Sequence, residues 1–417
     1  MLRNRLRARL TTLLATFLLA TPHAEGSSKY KILHSFGGKP DGGGVFAGLA
    51  RDGKGNLYGA TWGGGAYGYG TVFELTLGSG GKWTETILHS FCQNFPHCPD
   101  GTGVWDTPVL DRQGNLYDDS SAGIFQMTPG PHGWSFSLIY GYLAGGDLPP
   151  ENEPGIGDLL LDAAGNLYGT FAVGNGYYGA VGELSLGTHG WKETNLFDFC
   201  LHPRNGVCLG GYLPGFRLAW DAVGNLYGVT LAGGVTRGGV AYQLEHTTDG
   251  WKEHVLLNFR PSAGYFPYAG PVVDQAGNVY GTTLQGGGGA GCGPTGCGTV
   301  YKLSKGMDGQ WKETILYNFP YYPKNGGGPG APVMLDRAGN LYGTTTGGGD
   351  PACSCGVVFK LTPGSGGKWT YQILHRFTGK DGWVPQASLI QDDKGNLYGT
   401  TTEGGPGGYG VVSEITP

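Results

Sequence analysis

Apolar and polar residues alternate along short runs, and Gly, Asp, Asn, Ser or Pro bounds each run. Alternation with a period of two, in runs rich in Val, Ile, Leu, Tyr, Phe and Trp, predicts β-strands. Helical periodicity over 11 or more residues is absent outside the N-terminal segment. Four kinds of run recur in a fixed order. Strand A is an apolar stretch such as Val333-Met-Leu335. Strand B has the form Asn-Leu-Tyr-Gly-Thr-Thr, as at 340–345. Strand C has the form Val-Phe-Lys-Leu and occurs at Val72–Leu75, Ile124–Met127, Val181–Leu184, Ala241–Leu244, Val300–Leu303, Val358–Leu361 and Val412–Ile415. Strand D reads Trp-Lys-Glu-Thr-Ile-Leu-x-x-Phe, as at 311–319.

The period is regular. The Asn of strand B stands at 56, 115, 166, 225, 278, 340 and 396, a mean spacing of about 57 residues. An Asp precedes each by four positions: Asp52, Asp111, Asp162, Asp221, Asp274, Asp336 and Asp392. Asp bonds backbone N–H groups ahead of it and Gly accepts positive φ, so the A–B link Asp-x-x-Gly-Asn reads as a tight hairpin. The C–D link, such as Gly78–Lys82, reads as a second hairpin. Four strands cannot bury both faces alone, but stacked copies can. The period is too long for a β-helix rung and suits a β-propeller blade.

The strand D copies set the blade number. Trp83, Trp134, Trp191, Trp251, Trp311 and Trp369 mark six. The seventh is Tyr30-Lys-Ile-Leu-His-Ser-Phe36, which matches Tyr371–Phe377, while the chain ends just after a strand C. Residues 29–36 are therefore expected to supply the outer strand of the last blade and remove its open edge. The expected fold is all-β: a seven-bladed propeller of four antiparallel strands per blade, one domain over 26–417.

The N-terminus changes the setting. Arg3, Arg5, Arg7 and Arg9 precede an apolar run from Leu10 to Ala20. This reads as a signal peptide over 1–25, cleaved between Ala20 and Gly26; the alternative is an uncleaved anchor. No later run is long enough to span a membrane, so the mature chain is expected to be exported, to the periplasm, the cell surface or the medium, and to be monomeric. Eight cysteines agree with export. They form four local pairs: Cys92 with Cys98, Cys200 with Cys208, Cys292 with Cys297, and Cys353 with Cys355. Each pair lies in a Gly- or Pro-rich connection, and the set favours disulfides over zinc. Cys353 and Cys355 close so short a ring that they are expected to be the weakest pair, reduced or redox-labile. Gly is 84 of 417 residues without a three-residue period, which excludes collagen. Charged residues make up 14%, with a net charge of −5 and no basic tract, so nothing suggests a nucleic-acid partner.

Candidate chemistry is sparse. His34, His89 and His375 share a strand D slot that Tyr140, Phe197, Leu257 and Tyr317 fill elsewhere, so packing is the expected role. The hairpin Asp residues share one context and read as turn formers. Unit two departs from the repeat, with Asp118 and Asp119 in place of Gly-Thr. Adjacent carboxylates suit a hard cation such as Ca²⁺, or an acid and a base, although no Ca²⁺ loop motif surrounds them; a solvated, degenerate blade edge is the plainer expectation. No cofactor is evident. Strands alternate in direction, so the variable B–C and D–A connections open on one face. That face carries Trp62, Tyr67, Trp105, Tyr177, Tyr178, Trp383 and Tyr409, with Asp41, Asp100 and Asp381 in Asp-Gly pairs. Exposed aromatics on Gly-rich loops suit sugar stacking or a protein interface.

The run Asp336–Thr345, followed by Gly356–Leu361 and Trp369–Phe377, resembles the GloVer tandem repeat of Gloeobacter- and Verrucomicrobia-type "choice-of-anchor" proteins, and the resemblance spans about 29–417. It implies a bacterial exported repeat protein and defines no catalytic residues. Some relatives carry a C-terminal sorting segment; Ile415-Thr-Pro417 has no apolar tail, so release is expected rather than anchoring. Three functions follow as expectations. The first is non-catalytic binding of a glycan or a cell-envelope protein through the loop-rich face. The second is a polysaccharide lyase or glycosidase, and the third is a structural envelope spacer. A funnel lined by carboxylate, His or Arg would favour the enzyme.

Overall fold

A computed structural model describes residues 28–141, 157–171, 178–288, 292, 296–320 and 325–417. The signal segment and Tyr177 lie outside the described residues. Seven antiparallel sheets of four blade strands each form a seven-bladed β-propeller; Tyr212–Pro214 adds a fifth strand to blade four, and Gly42–Gly43 pairs with Gly63–Gly64 outside the blades. Blade one is Ala50–Arg51, Leu57–Thr61, Thr71–Leu77 and Trp83–Ser90, from the channel outward. Blade seven takes Ile390–Gln391, Leu397–Thr401 and Val411–Thr416 from the C-terminal end of the chain and Lys29–Ser35 from the other. The closing pairs run from Lys29 opposite Thr416 to Ser35 opposite Val411. Among the described residues no helix is long and apolar enough to cross a membrane.

The alternating pattern explains the packing. Each strand B is buried along its length, because it lies between two blades. Every outer strand carries a bulge against strand C at the same place, between Ile32 and His34 in the closing strand and at Val300/Tyr301 in blade five. The bulged residue is Leu33, Leu88, Leu196, Leu256, Leu316 or Leu374, with Ile139 in blade two, and each packs into an apolar cluster between two blades. A bulge turns the strand so that this side chain meets the next blade. Seven such clusters fill the seven seams. The seam between blades seven and one contains Phe36, Leu57, Phe73 and Val412.

The A–B hairpins are alike in all seven blades. In blade six, Asp336 Oδ1 accepts the N–H groups of Ala338 (2.9 Å) and Asn340 (2.8 Å). Its Oδ2 accepts Asn340 Nδ2 (2.8 Å) and the Tyr342 hydroxyl (3.2 Å). Gly339 takes φ +83° to close the turn. Asp336→Ala leaves these donors without their acceptor and is expected to destabilise the fold by about 1–3 kcal/mol, read as a lower denaturation midpoint at an unchanged m-value. An unaltered midpoint would show that water replaces the carboxylate at no loss.

All four cysteine pairs are disulfides, as their local pairing led one to expect. Cys92 is bonded to Cys98, Cys200 to Cys208, Cys292 to Cys297 and Cys353 to Cys355. No described cysteine is free. The first three bonds each close a short loop between an outer strand and the following blade, or within a B–C connection. Of the two alternatives for the last pair, reduced or redox-labile, the reduced one is corrected: the bond is formed. The ring of Cys353 and Cys355 is closed, with its Cα atoms 5.2 Å apart, inside the normal disulfide range.

Candidate active site in the central funnel

The channel opens on the loop-rich face as a funnel of about 980 Å³. Its wall is built from the residues just before each strand A, with the ends of strands B behind them. The position five residues before the hairpin Asp is Ala in four units: Ala47, Ala269, Ala331 and Ala387. In unit two it is Asp106, which lines the funnel. The next position holds the small residues Gly48, Thr107, Gly270, Pro332 and Ser388, but also Asp158 and Arg217. Among the described residues, charge therefore enters the funnel wall only from units two, three and four.

Asp118 and Asp119 join it from strand B of blade two. The expectation of a solvated blade edge is corrected here, because Asp118 is 1% exposed and Asp119 is 7% exposed. Strand B lies inside the stack of blades, so its departures from the repeat are buried ones. In blades one, four, five and six the Asp118 slot holds Gly, and an aromatic ring on strand C fills the space. A Cβ at Gly343 would sit 2.5 Å from Phe359 Cζ. Asp118 stands opposite Phe125 in that same register. Its Oδ1 accepts the Asp119 N–H (2.9 Å), and its buried Oδ2 has no hydrogen-bond partner.

Neighbouring carboxyls hold one another's protons. Burial first, then the charges of Asp119 and Asp158, raise the Asp106 pKa well above the carboxylate range. A hydrogen bond with Asp119 also favours the protonated form of Asp106. Burial and the Asp119 charge also raise Asp118. Burial raises Asp158 as well, and the Arg217 charge opposes the shift.

A chain of contacts fixes the floor. Thr107 Oγ1 accepts the Gly48 N–H (3.1 Å), and Asp158 Oδ1 accepts the Thr107 N–H (2.8 Å). Arg217 NH1 lies 3.9 Å from Asp158 Oδ2 and donates to Ser388 Oγ (3.3 Å). The guanidinium thus spans the channel from blade four to blade seven. Two aromatic groups rim the opening. Trp105 packs on Phe46 (centroids 4.3 Å apart) and Trp62 (5.8 Å), and Phe216 packs on Tyr268 (4.8 Å).

The residues singled out from sequence divide. Trp62, Trp105 and Asp119 line the funnel, and Asp118 lies against it. Tyr67, Tyr178, Trp383 and Tyr409 are at least one-third exposed on loops outside its lining. Asp41, Asp100 and Asp381 turn inward. Each bonds a strand D histidine, His34 (3.3 Å), His89 (2.8 Å) or His375 (3.0 Å), and a backbone N–H in the turn that follows. Sequence reasoning missed Phe46, Asp106, Asp158, Phe216 and Arg217. Aligning the units on the hairpin Asp would have exposed Asp106, Asp158, Phe216 and Arg217, since they break columns of mostly small residues; Phe46 stands in a mixed column and gives no such signal.

A family model matches over part of this ring. Residues 289–417 match the Gloeobacter/Verrucomicrobia repeat. The repeat motif runs through the remaining units with the same Asp-x-x-Gly-Asn turn. No curated protein matches the sequence. Among solved structures, virginiamycin B lyase from Staphylococcus aureus is similar, with a TM-score of 0.54 at 12% identity over 94% of this chain and 99% of that one. A catalytically inactive form of that lyase with quinupristin gives 0.55 at 13% identity, over 94% and 100%. The extracellular domain of a putative one-component system from B. thetaiotaomicron gives 0.52 at 12% identity, over 92% of this chain and 40% of that one. At such identities the likeness concerns the fold alone.

Proposed function

We propose that this repeat protein is exported and takes a neutral, hydroxyl-rich ring ligand, the end of a glycan chain, into its funnel. The observation that carries this reading is the Asp106–Asp119 carboxyl pair, set beneath an aromatic rim and beside Arg217. Aromatic faces stack on the apolar faces of sugar rings, and carboxyls accept and donate to their hydroxyls. Burial favours the protonated form of Asp106, Asp118 and Asp158, so beside one guanidinium the funnel carries little net charge, which suits a neutral ligand. Four acids gathered here, two of them buried, also oppose stability, and such local conflicts concentrate at functional sites.

A glycan array probed with the mature protein tests this, with and without Ca²⁺ and EDTA. Neutral glycans are expected to be retained and uronic-acid polymers not. Trp105→Ala is expected to weaken a retained glycan roughly tenfold or more, about 1.4 kcal/mol, as for a central aromatic anchor. Silence in every condition, or full retention by Trp105→Ala, would refute the glycan reading and leave an envelope protein as the partner to seek.

The carboxyl and Arg lining of the funnel, the feature expected of an enzyme, favours a second reading, catalysis. A buried carboxyl pushed toward its protonated form, in contact with another carboxyl, is the pairing that general acid–base cleavage uses. Cleavage of a retained glycan by wild type but not by Asp106→Asn would establish it.

A further inference from the structure

The outer seam between blades seven and one holds a second cluster, none of whose residues lines the funnel. We propose that His34, Asp41 and Glu85 form a Zn²⁺ site that ties the closing strand to blade one. His34 lies on the closing strand, Asp41 on the turn after it, and Glu85 on the outer strand of blade one. His34 Nε2 is 3.3 Å from Asp41 Oδ2 and 3.6 Å from Glu85 Oε2. One ligand atom from each of the three residues falls within 4.8 Å of the others. Tetrahedral ligands at zinc bond lengths of about 2.0–2.1 Å sit roughly 3.3–3.4 Å apart. With Glu85 giving up its proton on binding, a neutral imidazole and two carboxylates balance a divalent charge and leave one position for water.

The ligands are oriented from behind. The Gly37 and Gly42 N–H groups donate to Asp41 Oδ2 (2.9 Å) and Oδ1 (2.7 Å), and the His34 ring lies edge-on to Phe36. Glu85 Oε1 is buried without a hydrogen-bond partner. Such supporting contacts fix a ligand before the metal arrives.

The repeat supplies its own controls. The His–Asp pair occurs three times, and a residue of the next blade, two positions after the Trp slot, always faces the His. For His89 it is Phe136, stacked at 4.5 Å, and for His375 it is Tyr30, stacked at 3.8 Å. An aromatic ring cannot ligate zinc through its face. Only at the closing seam is that residue a carboxylate. Calcium suits the cluster poorly, since it prefers six to eight oxygen ligands and takes no imidazole here.

The test is calorimetric titration of the metal-stripped mature protein with Zn²⁺, alongside Glu85→Gln and His89→Gln. Wild type and His89→Gln are expected to bind one equivalent, and Glu85→Gln to bind it at least roughly tenfold more weakly. Co²⁺ substitution should give the intense visible bands of a four-coordinate site in wild type and lose them in Glu85→Gln. Equal binding by all three proteins, equal loss in both variants, or no Zn²⁺ uptake by wild type would each overturn the site.

Discussion

A mature chain that begins at Gly37 is expected not to reach the native ring. The missing segment contributes six backbone pairs to Val411–Thr416, and the fully buried Phe36. It also contributes Leu33 and Tyr30, which pack into the seams on either side of blade seven. Three large side chains at about 1.5–3 kcal/mol each amount to roughly 5–9 kcal/mol. A typical domain is stable by only about 5–15 kcal/mol. The loss also bares the edge of Val411–Thr416, a template for aggregation. Low soluble yield and absent near-ultraviolet dichroism are the expected readouts, with partial recovery when a peptide of residues 28–36 is added. A truncated chain that melts within a few degrees of the intact one would show that the ring does not need its closing strand.

Returning the broken strand to its repeat should have the opposite sign. Asp118→Gly is expected to stabilise the protein by about 1–3 kcal/mol, because it removes a buried carboxyl with an unpartnered oxygen. Most substitutions at so buried a position destabilise, so the sign alone is diagnostic. The gain should also depend on pH. Burial raises the pKa values of Asp106, Asp118 and Asp158. Each therefore holds its proton in the fold at pH values where the unfolded chain has released it. Their contribution is complete below the ordinary carboxylate range and is lost as pH rises toward the folded pKa. The gain from Asp118→Gly is thus larger at about pH 8 than at about pH 5. The hairpin acids Asp221, Asp274 and Asp392 behave in reverse. Burial opposes ionisation there, but their hydrogen bonds prevail and lower the pKa. Their contribution is present above the carboxylate range and is lost as pH falls. Denaturation midpoints across pH check both limbs. A destabilised Asp118→Gly, or a pH-independent difference, would contradict the buried-charge account.

Much of the fold was legible because each blade repeats one solution. The Asp-x-x-Gly-Asn turn, the strand D aromatic and the Tyr30–Phe36 match specify strand order, blade number and closure without tertiary knowledge. The funnel was legible only in part. Trp62 and Trp105 stood out as aromatics on Gly-rich loops, and Asp118 and Asp119 as departures from strand B. Asp106, Asp158 and Arg217 did not, because they come from three units and meet only where the channel gathers equivalent positions. Asp41, Asp100 and Asp381 looked like surface ligands for the converse reason. Each His partner sits in a strand D slot that other units fill with Tyr, Phe or Leu, so the sequence pattern alone does not join the pair.

The central claim is that the acids breaking the repeat in the funnel serve a ligand rather than the fold. A triple variant, Asp106→Ala, Asp118→Gly and Asp119→Thr, restores the repeat at all three positions. The direct measurement is calorimetric titration of that variant with a glycan retained by wild type, in samples whose melting midpoints are recorded. A higher midpoint with binding lost is the predicted result. A variant that still binds the glycan at wild-type affinity would contradict it.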